Sequence, residues 1–104
     1  MIPQEKLDAL IAKFEKIETE MSTASATEDI IRLSKEHGEL KDVVEKAREL
    51  TSVRTQLVEL KELSEGDDKE MAEMAQDELQ ELKEKEPGLE HELQLMLLPK
   101  DKAD

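Results

Sequence analysis

Apolar side chains in this 104-residue chain recur at steps of three and four through three long charged stretches, the period of helices that each bury one face. The first stretch carries Leu7, Leu10, Ile11, Phe14, Ile17 and Met21. The second carries Ile31, Leu33, Leu40, Val43, Val44, Ala47, Leu50, Val53, Leu57, Leu60 and Leu63, and the third Met71, Met74, Ala75, Leu79, Leu82, Leu89, Leu93 and Met96. The competing reading is disorder, which 41% charged residues would permit. Sustained periodicity decides for helix. The lone aromatic, Phe14, and only three Gly and three Pro fit long helices or coiled coil better than a sheet, because strands draw on β-branched and aromatic residues and turns consume Gly and Pro. The expected fold is all-α: an elongated antiparallel three-helix bundle, or helical hairpin, with one short and two long helices.

Boundary signals place the helices at about 4–21, 27–64 and 68–98, within one domain over 1–98, with 99–104 as a linker to a following domain. Pro3 suits a first turn, where its missing N–H leaves no bond unmade. Ser22 to Thr27 is a small polar turn, and Ser25 with Glu28 forms a candidate capping box, with Thr27 the rival cap. Glu28 to Arg32 and Asp42 to Lys46 are spaced as favourable ion pairs. Gly38 is the weak point of the second helix, which continues because the stripe resumes in phase at Leu40. Gly66 stands where a left-handed cap would close that helix, and Asp67 with Glu70 offers a side-chain cap for the next. Pro87-Gly88 predicts a kink, or two helices meeting; the stripe that resumes at Leu89 favours the kink.

Chemistry is mostly excluded. Without Cys there is no disulfide, thiolate nucleophile or sulfur-ligated metal. Helical carboxylate-metal sites place Glu three residues before His, but Ser34 precedes His37 and Gly88 precedes His91 at that spacing. The Glu65, Asp67, Asp68 and Glu70 cluster misses the calcium-loop pattern and suits capping and solvation. Single scattered glycines make no phosphate loop. Neither metal, cofactor nor catalysis is expected. A net charge of −13 and the absence of an aromatic platform argue against autonomous nucleic-acid binding. No apolar run reaches the roughly 18 residues of a membrane span, and the N-terminus lacks signal-peptide character, so a cytoplasmic protein with no membrane attachment is expected.

Two stretches remain as candidate interaction sites. Residues 62–92 hold 13 Asp and Glu against Lys69, Lys83 and Lys85, a net of −10 (3 − 13). Much of this is a solvated face; the sharper reading, centred on Glu73, Asp77 and Glu81, is a surface steered toward a basic protein. Leu95, Met96, Leu97 and Leu98 are consecutive, so they point all round a helix and one neighbour cannot cover them. They suggest contact with a following domain or self-association, against the plainer expectation that the first helix covers them.

The last third supports a more specific inference. Glu-Met-Ala-Gln-Asp-Glu-Leu at 73–79, Glu-Leu-Lys-Glu-Lys-Glu at 81–86, Leu-Glu-His-Glu-Leu at 89–93 and Leu-Met-Leu-Leu-Pro-Lys-Asp at 95–101 together resemble the N-terminal domain of the bacterial peptide chain release factor 1 family. Leu-Ser-Lys-Glu-His-Gly-Glu-Leu at 33–40 resembles that family's second-helix motif more loosely. The leucine-rich ending with Pro-Lys-Asp favours type 1 over type 2, and Pro87-Gly88 departs from the family's usual polar helix. The resemblance implies that the full protein acts at UAA and UAG stop codons and triggers peptidyl-tRNA hydrolysis. Its Gly-Gly-Gln and Pro-x-Thr motifs are absent from these residues. For this chain it implies a helical module that docks at the stalk base of the large ribosomal subunit, on a basic protein near the site of translational GTPases. The alternative is a free-standing coiled-coil adaptor or homodimerising interaction protein, and continuation of the reading frame past Asp104 separates the two.

Overall fold

A computed structural model describes residues 1–99 as three helices: α1 (Gln4–Thr23), α2 (Thr27–Ser64) and α3 (Lys69–Leu97). Of the segment expected to be a linker, residues 100–104 lie outside the described residues. Cross-helix pairs give the directions. Gln4 bonds Thr51 while Glu18 meets His37, so α1 runs antiparallel to α2. Arg54 meets Glu86 while Lys46 meets Glu92, so α3 does too.

α2 is the spine, with α1 and α3 packed on it rather than on each other. The result is a flat, elongated slab of 59 × 38 × 17 Å. A helix with two neighbours needs a wider apolar arc than a helix with one, which accounts for the many apolar positions of α2. The principal core forms where the start of α1 and the end of α3 both reach the middle of α2. Ile2, Leu7, Ala47, Leu50, Val53, Leu89 and Leu93 are buried there, with Ile11, Val43, Leu57, Leu82 and Leu97 packed around them. Phe14 and Ile17 of α1 and Leu33 and Val44 of α2 are also buried. Beyond Arg54 the hairpin of α2 and α3 stands without α1, and between Arg54 and Gly88 only Ala75 is buried.

Several local expectations are corrected. α2 is capped at Ala26 with no side-chain bond, because the helix starts at Thr27 and leaves Ser25 one residue too early. The ladder there opens with Ile30 N–H donating to the Ala26 carbonyl. Gly66 does not adopt a left-handed conformation. Instead α2 tightens at its end, with Glu65 N–H reaching the Lys61 and Glu62 carbonyls and Gly66 N–H the Leu63 carbonyl, so the orphan acceptors are already engaged. Asp68, not Asp67, caps α3: its Oδ1 accepts from Met71 N–H at 3.2 Å. Arg32 pairs with Asp29 and Glu36 rather than Glu28, and Lys46 with Glu49 and Glu92 rather than Asp42. At Pro87 two helices do not meet; α3 runs unbroken from Lys69 to Leu97. Pro87 and Lys83 are both exposed, so water can satisfy the carbonyl that lost its partner.

Candidate interaction surface

The side chain that organises the middle of the molecule is Arg54 of α2, whose side chain is only 16% exposed. Its Nε donates to Glu86 Oε2 at 2.9 Å and a terminal nitrogen donates to Glu90 Oε2 at 2.8 Å. The other terminal nitrogen donates to Gln4 Oε1 at 3.2 Å, and Gln4 Nε2 donates in turn to Thr51 Oγ1 and Asp8 Oδ1. The same Glu90 oxygen also accepts the backbone N–H of Ile2 at 3.0 Å. One guanidinium therefore ties α2 to α3 on both sides of Pro87 and to the start of α1. Its planar fork suits two carboxylates one helical turn apart. Reasoning from the sequence missed this knot, since nothing in the chain marks which of 28 acidic residues face Arg54.

Further cross-helix pairs flank the knot. Lys46 Nζ lies 2.6 Å from Glu92, and Arg48 lies 3.3 Å from Glu15. The hydrogen bond that Lys46 donates to Glu92 raises the Lys46 pKa above its ordinary value and holds the Glu92 carboxyl below its own. His37 stacks on Phe14 with ring centroids 4.3 Å apart and meets Glu18 at 3.1 Å, while Arg48 covers the Phe14 ring at 5.8 Å. His37 is thus a packed α1–α2 contact; His91 is exposed. Among the described residues no group of three or more His, Asp or Glu is placed to hold a metal ion, and no helix is long and apolar enough to cross a membrane.

The two groups of candidate interaction residues fall at different places. Glu73, Asp77 and Glu81 are all exposed and follow one another at four-residue spacing, forming a row on the face of α3 turned away from buried Ala75. Leu95 to Leu98 lie roughly 28 Å further along α3, measured from Asp77 to Met96 at the helical rise. They do not behave alike. Leu97 packs against the principal core and Met96 is half-buried, whereas Leu95 is 55% and Leu98 62% exposed. Met1, Ile2, Pro3 and Lys6 border a depression beside Leu97 and Leu98, so the N-terminal segment covers part of this end and leaves part open.

A family model for the PCRF domain matches residues 10–104. The chain belongs to the PCRF domain family. This PCRF domain is similar over almost its whole length to three proteins named peptide chain release factor 1. The relative from Caulobacter vibrioides is 44% identical over 99% of the chain, that from Maricaulis maris 52% over 98%, and that from Dinoroseobacter shibae 41% over 100%. The chain spans 28–29% of the length of these relatives. No solved structure matches it. The similarity to release factors seen at residues 73–101 thus extends along almost the whole of this chain. Ile2, Gln4 and Leu7 precede the stretch matched by the family model, yet they complete the core and the Arg54 knot.

Proposed function

We propose that this PCRF domain is the ribosome-docking module of a peptide chain release factor that acts in the cytoplasm at UAA and UAG stop codons. Its partner in that reading is a basic protein at the stalk base of the large subunit. The module spans residues 1–98, with 99–104 leading into the domains that carry codon reading and peptidyl-tRNA hydrolysis. It catalyses nothing itself, holds no cofactor and does not bind nucleic acid on its own. The relatives named as release factors, and the share of their length that the chain covers, support the assignment. The observation that carries the docking role is the exposed row of Glu73, Asp77 and Glu81. These carboxylates make no ion pair among the described residues and stand clear of the helix-packing face. Such a row raises the encounter rate with a basic surface and gives up little when it docks.

The test is capture of purified ribosomes by the immobilised chain. Capture is expected for the unaltered chain and its loss for the Glu73→Lys, Asp77→Lys, Glu81→Lys variant; undiminished capture by that variant sinks the reading. At the other end of α3, the open Leu95 and Leu98 are the surface for a following domain or for self-association of this chain. Sedimentation that shows a strict monomer at high concentration removes the self-association role.

A further inference from the structure

The hairpin tip carries a second feature beside the acidic row. On one side of the α2–α3 seam, two depressions share Leu60, Leu63 and Glu78 and so form one continuous groove. Ala75 lies at its floor, Leu60, Leu63, Met71 and Met74 make its walls, and Glu59, Gln56 and Glu78 line its far half. The two depressions measure about 230 and 280 Å³. Met74 is 62% exposed, and Leu63 and Met71 are nearly half exposed. From Gln56 to Leu63, with Met71 across the seam at the hairpin end, the groove runs the length of roughly two turns of a helix. Methionine walls adapt their shape to an incoming apolar face.

The charge around the groove selects its occupant. Its lining contains Glu59 and Glu78 and no Lys or Arg. Asp77 and Glu81, three residues on from Met74 and Glu78, are their neighbours on the helix surface and extend the negative rim into the exposed row. A second copy of this chain would bring its own net charge of −13 against that rim. The opposite side of the hairpin differs: the depression of Leu57, Val58 and Leu79 is edged by both Lys61 and Lys83 and both Glu65 and Glu86, and selects no charge.

We propose that this groove receives a basic amphipathic helix, its apolar residues at three- and four-residue spacing set between Leu60, Leu63, Met71 and Met74 and its Lys or Arg residues against Glu59, Glu78 and the Glu73, Asp77, Glu81 row. The inference deepens the docking reading, on which it rests for its biological setting, by naming the kind of segment that docks and where.

A synthetic peptide of about 14 residues with a Leu face and a Lys face is the probe, followed by fluorescence anisotropy with the 104-residue chain. Binding is expected, with amide shifts confined to residues lining the groove. Met74→Glu and, separately, Leu63→Ser should each weaken it by roughly tenfold or more, while Val58→Glu on the opposite side changes it less than about twofold. All three positions are exposed, and helix content by circular dichroism confirms that each variant folds. Equal loss for Val58→Glu, or equal binding of an all-polar Lys peptide, reduces the interaction to diffuse charge and overturns the proposal. Ribosome capture separates the two levels. Capture that survives Met74→Glu but not charge reversal at Glu73, Asp77 and Glu81 keeps docking and removes the groove. Peptide binding to the groove without ribosome capture by the unaltered chain removes the docking reading and keeps the groove.

Discussion

The middle and the tip of the α2–α3 hairpin are written in the same alphabet of leucine, methionine, lysine and glutamate, yet they are physically unlike. In the middle, α1 joins the pair, seven residues form a buried cluster, and Arg54 ties three segments together. Toward the tip there is no third helix, Ala75 alone is buried, and among the described residues no ion pair crosses between residues 57–64 of α2 and 69–82 of α3. An apolar stripe is therefore a demand for a neighbour, and whether the demand is met depends on how many helices reach that level. Where it is met the stripe is core; where it is not, the same spacing leaves apolar side chains exposed. Buried contacts concentrate at one level of this rod and exposed apolar side chains at the other.

Truncation tests that division most directly. Leu50→Ala or Leu93→Ala removes a side chain with no exposure from the three-helix level and should cost about 2–5 kcal/mol by urea denaturation. Met74→Ala at the tip should cost less than about 0.5 kcal/mol, as expected for an exposed site. Similar losses at both levels would erase the distinction. Next in size is Arg54→Ala. It leaves the Glu86 and Glu90 carboxylates close together and partly buried without their cation, and the expected loss is about 2 kcal/mol, discounted from the fully buried case because all three side chains keep some contact with water. Hydrogen exchange should then rise in the first turn of α1 as well as around Glu86 to Glu90, since Gln4 and the Ile2 amide lose their shared anchor. Faster exchange confined to α3 would mean that the knot does not hold α1.

The same contrast explains what was legible in the chain. Helix number, order and span follow from stripes such as Leu7, Phe14 and Ile17, because any helix that packs must repeat at that period. Degree of burial does not follow from it. Val53 and Leu60 stand seven residues apart on one face of α2, but Val53 is buried and Leu60 only half-buried. Met71 and Met74 continue the stripe of Leu89 and Leu93 into a level with no third helix. The acidic row was legible because four-residue spacing places Glu73, Asp77 and Glu81 on one face without reference to any partner. The Arg54 knot was not, because choosing Glu86 and Glu90 requires the antiparallel register. Caps failed for a related reason: Ser25, Thr27, Asp67 and Asp68 are all competent, and a shift of one residue decides which one acts.

A smaller effect, of opposite sign, comes from the glycines inside helices. A methyl group added at Gly38 or Gly88 meets no atom within 4 Å. Gly38→Ala and Gly88→Ala should each stabilise the chain by about 0.5–1 kcal/mol, because alanine loses less backbone entropy on entering a helix. The two gains should add, since the sites lie on different helices and share no partner. A loss at Gly88 would show that its position after Pro87 requires freedom that alanine lacks.

The smallest expected effect sharpens the comparison by its pH dependence. Lys46 and Glu92 join α2 to α3 at the three-helix level, and no corresponding pair joins the tip among the described residues. Through its bond with Lys46, folded Glu92 lies below its ordinary value of 4.5, so its contribution is complete above that value and disappears as pH falls through the lower folded value. Through the same bond, folded Lys46 lies above 10.5, so its contribution is complete below 10.5 and disappears as pH rises through the higher folded value. Many other carboxylates titrate in the acidic range, so the informative quantity is the difference in urea midpoint between the unaltered chain and Glu92→Gln. That difference should be constant across the neutral range and should close toward both extremes. Glu78→Gln at the tip, where the carboxylate has no cross-helix cation, should show no such closing in either direction, and a matching profile there would mean that general charge repulsion rather than the pair sets the pH response.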